Sequence, residues 1–171
     1  MPDKASHPAA RDAELLYRQC RVERLRRSGP GGQHRNKVET AIRLVHESTG
    51  VTAEASERRS QEQNRQRALA RLRINLALEV RCPVSGEQPP SALWLSRLQG
   101  GRIHVNPEHD DFPAILAEAL DRVVAESFDV KAAAQRLGCS SSQLVKLLKA
   151  EPQALAVVNQ RREGLGLERL R

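Results

Sequence analysis

The chain has 171 residues, enough for one domain with a substantial appendage or for two small ones. Its 39% hydrophobic and 29% charged residues suit a soluble globular protein, and 2% aromatics argue for a Leu-, Val-, Ile- and Ala-based core of helices on a small sheet rather than an aromatic-rich β-sandwich. Of the net charge of +7, +6 sits in the first half, where residues 1–80 hold 16 basic and 10 acidic side chains against 12 and 11 in residues 81–171; nearly all the excess is Arg, which suits a polyanionic partner such as RNA or DNA.

Residues 1–10 are polar, read as disordered and lack the apolar core of a signal peptide. A short helix is expected over residues 12–19 and a strand with a basic face over 21–27. The stretch Ser28-Gly29-Pro30-Gly31-Gly32-Gln33 is a loop by composition, and a short helix is expected over 34–39. Residues 41–46 alternate with Ile42 and Leu44 on one face, residues 47–50 read as a hairpin turn, and Val51, Ala53 and Ala55 mark a return strand. From Ser60 to Val80 the pattern becomes helical, with Leu69, Leu72, Leu76 and Val80 as the apolar face of an Arg-rich helix.

Pro83, Gly86, Pro89 and Pro90 mark a linker over residues 82–106 that includes a short helix near 92–98 and a short strand near 102–105. Helices are expected from Pro113, from Asp129 to a stop at Gly138, from Ser140, which has capping-box spacing to Gln143, and from Pro152. The pair over residues 129–150 has helix-turn-helix character. Two readings stand side by side: nucleic-acid contact through Ser141, Ser142, Gln143, Lys146 and Lys149, or plain packing of a small helical bundle. The organisation expected is thus a disordered 1–10, a domain over 11–81, the 82–106 linker and a helical region over 107–171.

Cys20, Cys82 and Cys139 lie far apart, with no CxxC pair, so neither a disulfide framework nor a zinc site is expected and a reducing, cytoplasmic compartment fits. Cys82 and Cys139 have no base nearby in sequence. No apolar run approaches a membrane span of about 20 residues.

The glycine-rich loop lacks the G-x-x-x-x-G-K-[ST] spacing of a phosphate loop. It presents instead a neutral amide, Gln33, directly after two glycines. Glycines let a backbone approach a ligand closely. An ester hydrolase without a nucleophilic side chain needs a positioned water and a donor for the developing oxyanion. The Gln33 N–H fits the second need and its side chain the first. His34 is read either as a proton carrier or as a structural neighbour of the loop.

The blocks Ser28-Gly29-Pro30-Gly31-Gly32-Gln33-His34, Asn36-Lys37, Ala41-Ile42-Arg43-Leu44, Thr49-Gly50-Val51, Arg59-Ser60-Gln61 and Asn64-Arg65, in this order, resemble the catalytic domain of class I peptide chain release factors. The resemblance implies an α+β fold: a small antiparallel sheet bearing the Gly-Gly-Gln loop and a packed basic helix, here followed by a C-terminal helical region. It implies hydrolysis of peptidyl-tRNA at the ribosome's peptidyl transferase centre, with Gly31, Gly32 and Gln33 catalytic and no metal or organic cofactor. Ser28, Gly29, Pro30, His34, Asn36, Lys37, Arg58, Arg59, Asn64 and Arg65 would then face ribosomal RNA. The family's glutamine is often N5-methylated, which makes Gln33 the expected target of an N5-glutamine methyltransferase. No codon-reading domain fits upstream of the loop, so the chain is more similar to the short, codon-independent members that rescue stalled ribosomes. A monomer without membrane attachment is expected. The rival function is a non-enzymatic RNA- or DNA-binding protein working through the helix-turn-helix.

Overall fold

The computed structural model describes residues 7–25 and 40–171. The chain forms two compact units, Met1–Val80 and Arg81–Arg171, and the fold class is α+β, with a small antiparallel sheet and several helices.

In the first unit, Asp12 caps helix α1 (Ala13–Arg18) by accepting from the backbone N–H groups of Glu14 and Leu15. Strand β1 (Cys20–Leu25) pairs antiparallel with β2 (Ala41–His46), and β2 pairs with β3 (Thr52–Ala55), giving the order β1-β2-β3. The register sets Val22 opposite Leu44 and Leu44 opposite Ala53. The β2–β3 turn closes with Gly50 at φ +74°, the left-handed conformation glycine adopts without penalty, its N–H donating to the His46 carbonyl at 2.8 Å. Alternation then sends Leu44, Ala53 and Ala55 inward, against helix α2 (Gln61–Glu79).

Ser60 caps α2 by accepting from the Gln63 N–H. The buried stripe of α2 is Asn64, Ala68, Leu72 and Leu76 with Ala77; Leu69 and Val80, expected on that face, are only half-buried. The four-residue step is tighter than the sequence pattern suggests because small side chains, Ala68 and Ala77, let the helix lie close on a sheet that is itself alanine-rich. Polar side chains stitch the layers: Asn75 Nδ2 donates to the Thr52 carbonyl at 2.8 Å, and Arg71 Nη1 to the Glu54 carbonyl at 2.7 Å.

Residues 7–10 depart from the expected disorder. Pro8–Ala10 forms a 3-10 turn, His7 accepts from the Ala9 N–H, the other ring nitrogen meets the Val80 carbonyl at 3.1 Å, and Ala9 is buried. This order rests on long-range polar contacts that hydropathy patterns do not reveal.

The second unit begins where a linker was expected, but much of that stretch is built in. Asp121 accepts from the Cys82 N–H at 3.1 Å, and buried Arg122 donates to the carbonyls of Ser85 and Gln88. Both side chains belong to helix α4 (Phe112–Ala125). Helix α3 (Ala92–Arg97) carries Trp94, the single tryptophan, buried with Nε1 donating to the Leu137 carbonyl at 2.8 Å. A two-stranded hairpin, β4 (Leu98–Gln99) and β5 (Arg102–Ile103), follows.

Helix α4 ends in consecutive left-handed residues, Ser127 and Phe128, with the Phe128 N–H returning to the Val123 carbonyl at 2.8 Å. Asp129 caps α5 (Val130–Arg136); Gly138 at φ +72° turns the chain; Ser140 caps α6 (Ser141–Ala150); α7 (Pro152–Gly164) completes the bundle. Leu137, Leu144, Leu148 and Val158 supply buried aliphatic packing among these helices.

Candidate functional site

Leu25 pairs with Ala41, the last pairing of β1 with β2. The end of β1 and the start of β2 therefore lie at adjacent points on one end of the sheet. The expected catalytic residues Gly31, Gly32 and Gln33, and the expected RNA contacts Ser28, Gly29, Pro30, His34, Asn36 and Lys37, lie outside the described residues.

The anchor beside this end is Asn64. It was expected to face RNA, but it is 0% exposed and cannot. Its Nδ2 donates to the Thr40 carbonyl at 2.6 Å and to the Arg58 carbonyl at 2.9 Å, while its Oδ1 accepts from the Arg58 N–H at 3.0 Å. A buried side-chain amide needs partners for both ends, and here one side chain satisfies three backbone groups. It joins the first turn of α2 to Thr40 and to the bend after β3.

Arg65 also turns inward. Its guanidinium donates to Glu62 at 2.9 Å, approaches Glu14 at 3.7 Å and lies 4.7 Å over the ring of Tyr17. Those contacts lock α1 to α2 and occupy a cation expected to meet phosphate. Arg58 and Arg59 behave differently: both are exposed, and neither side chain makes an ion pair among the described residues. Sequence reasoning missed Thr40, Tyr17 and Glu14 as supports of this region. The readable signal was the four-residue step from Asn64 through Ala68 to Leu72, which puts Asn64 on the buried stripe.

On α6, Ser142, Lys146 and Lys149 are exposed, whereas Ser141 and Gln143 are half-buried. Ser140 Oγ accepts from the Gln143 N–H, and the hydroxyls of Ser140 and Ser142 lie 3.0 Å apart. The thiols of Cys20 and Cys139 are each pushed up to about 11, in both cases chiefly by burial, which keeps them protonated and poor nucleophiles at neutral pH. Among the described residues no helix is long and apolar enough to cross a membrane.

The Gly31-Gly32-Gln33 sequence lies between β1 and β2 in the chain, and the Arg-rich helix α2 packs on β2 and β3. Residues 10–89 match the RF-1 domain family model. The chain is 45% identical over 75 residues to peptide chain release factor 1 of Verminephrobacter eiseniae (strain EF01-2), covering 44% of this chain and 20% of the relative. It is 43% identical over 65 residues to peptide chain release factor 2 of Paramagnetospirillum magneticum (strain ATCC 700264 / AMB-1), covering 38% and 18%. To peptide chain release factor 1 of Leptothrix cholodnii (strain ATCC 51168 / LMG 8142 / SP-6) it is 43% identical over 79 residues, covering 46% and 21%. Over this segment the chain is similar to the RF-1 domain of peptide chain release factors. It spans about one fifth of the length of these relatives. No solved structure matches it significantly.

Proposed function

We propose that the chain hydrolyses the ester of peptidyl-tRNA on the ribosome without reading a codon. The observation that carries this is the RF-1 domain match over residues 10–89, which contains the Gly31-Gly32-Gln33 sequence. In this reading water attacks the ester carbonyl. The new carbon–oxygen bond comes from water, the bond to the tRNA ribose oxygen breaks, and that oxygen takes up a proton. The Gln33 N–H stabilises the oxyanion, its side chain orients the water, and Gly31 and Gly32 let the backbone approach. Arg58 and Arg59 supply phosphate contacts. No cofactor takes part; the working form is a cytoplasmic monomer, and Gln33 is a substrate for N5-methylation.

Residues 90–171 lie outside the matched segment and belong to the Arg81–Arg171 unit. The test is peptide release from ribosomes stalled on truncated and on long messages, and from split large subunits. Gln33→Ala should keep ribosome binding and lose release. Full release by that variant, or a requirement for a stop codon, overturns the proposal.

A second reading is favoured by exposed Ser142, Lys146 and Lys149 on capped α6: α5 and α6 act as a helix-turn-helix on RNA or DNA, and the chain is a binding protein. Sequence-selective binding to duplex DNA, with Gln33 dispensable, would establish it instead.

A further inference from the structure

Residues 165–171 do not trail away from α7. Asn159, 4% exposed, grips the main chain of Leu170 from both sides: its Nδ2 donates to the Leu170 carbonyl at 3.1 Å and its Oδ1 accepts from the Leu170 N–H at 2.7 Å. Arg162 adds two main-chain contacts, donating from Nε to the Glu168 carbonyl at 2.8 Å and from Nη1 to the carbonyl of Phe128. The turn closes through the Leu167 N–H to the Arg162 carbonyl at 2.8 Å, with Gly166 at φ +71°.

Fixing a stretch of backbone costs conformational entropy, so such a hook needs a compensating gain. Apolar burial supplies little of it here, since Leu165 is 58% and Leu167 39% exposed. A buried amide and a guanidinium hold the hook, which displays Arg169 and Arg171 beside the exposed Glu168. Arg162, Glu168, Arg169, Leu170 and Arg171 line one open groove. Arg169 pairs with exposed Glu163 at 3.2 Å, while Arg161 and Arg171 are exposed and make no ion pair among the described residues.

We propose that this hook is a phosphate-backbone contact for RNA, with Arg169 and Arg171 as its contacting cations and Asn159 as the positioning residue that holds them. The contact is independent of base sequence, because guanidinium groups on a fixed main chain recognise phosphate geometry, not base edges. The partner is taken as ribosomal RNA, a step that rests on the ribosomal reading above.

The experiment uses the full chain and two probes: stalled ribosomes on a truncated message, and a mixed-sequence single-stranded RNA. Affinity is measured across a potassium chloride series for wild type, for Arg169→Gln with Arg171→Gln, for Asn159→Leu, and for Arg102→Gln as an exposed-charge control. The double variant should lose on the order of tenfold in affinity for both probes and flatten the salt slope by roughly one per arginine, while Arg102→Gln changes neither. Asn159→Leu should lose affinity with its charge intact. Unchanged affinity in a folded double variant, an equal loss in Arg102→Gln, or a loss on ribosomes with none on RNA, which would mean a protein partner, overturns the assignment. Wild-type chain that releases no peptide while the double variant still loses RNA affinity would defeat the ribosomal reading and leave the hook standing.

Discussion

The side-chain amide of Asn64 holds the carbonyl of Thr40 at 2.6 Å, from a position with no solvent exposure. Thr40 directly follows the segment that contains Gln33, so the grip fixes the main chain where that segment rejoins the sheet.

Asn64→Ala should therefore cost about 2–3 kcal/mol, since buried backbone groups of Thr40 and Arg58 lose their partner. Asn64→Asp should be at least as damaging: it keeps an acceptor for the Arg58 N–H but sets a carboxylate oxygen against two carbonyls. Urea unfolding checks the stability, and single-turnover peptide release at saturating factor checks positioning. The turnover rate should fall more than ribosome affinity does.

The arginines of this region should separate into two behaviours. Arg58→Gln and Arg59→Gln should leave stability within about 0.5 kcal/mol, as for other exposed sites, and weaken ribosome binding with a shallower salt slope. Arg65→Gln should cost about 0.5–1 kcal/mol through its contacts with Glu14, Glu62 and Tyr17. Thermal melts paired with salt-dependent binding curves distinguish the groups.

His46 is buried, with Nδ1 2.7 Å from Thr49 Oγ1, and its pKa is lowered from 6.5 first by burial and then by the charge of Arg11. A base with a depressed folded pKa binds fewer protons folded than unfolded between the two values. Its contribution to stability is thus complete above pH 6.5 and declines as pH falls towards the folded value. Chemical denaturation from pH 5 to 7.5 should show this slope, and His46→Gln should flatten it.

Gly138 turns between α5 and α6 at φ +72°, and a Cβ there would meet Leu98 Cδ2 at 3.3 Å. Gly138→Ala should destabilise by about 1–2 kcal/mol, mostly from the left-handed backbone, because the Leu98 methyl can yield. A fall in melting temperature with unchanged helical signal is the expected result.

Much of this architecture is legible in the sequence. The Ile42–Leu44 alternation, the turn at Gly50 and the Ser60 cap are local signals, and the fold follows them. What escaped was non-local. Asn64 and Arg65 look like surface residues of a basic helix until the packing face is known, and one position separates a buried clamp from a half-buried ion pair. The stretch from Cys82 onward reads as linker because its anchors, Asp121, Arg122 and the Leu137 carbonyl, lie some 30 to 45 residues away. The 3-10 turn at Pro8–Ala10 depends in the same way on His7 reaching Val80.

The enclosed indole of Trp94 makes the two halves separately observable. With no tryptophan before position 81, tryptophan emission excited at the red edge, where Tyr17 does not absorb, follows the Arg81–Arg171 unit alone, whereas circular dichroism sums both. Any gap between the two melting curves would then measure directly how far the Met1–Val80 and Arg81–Arg171 units unfold as independent bodies.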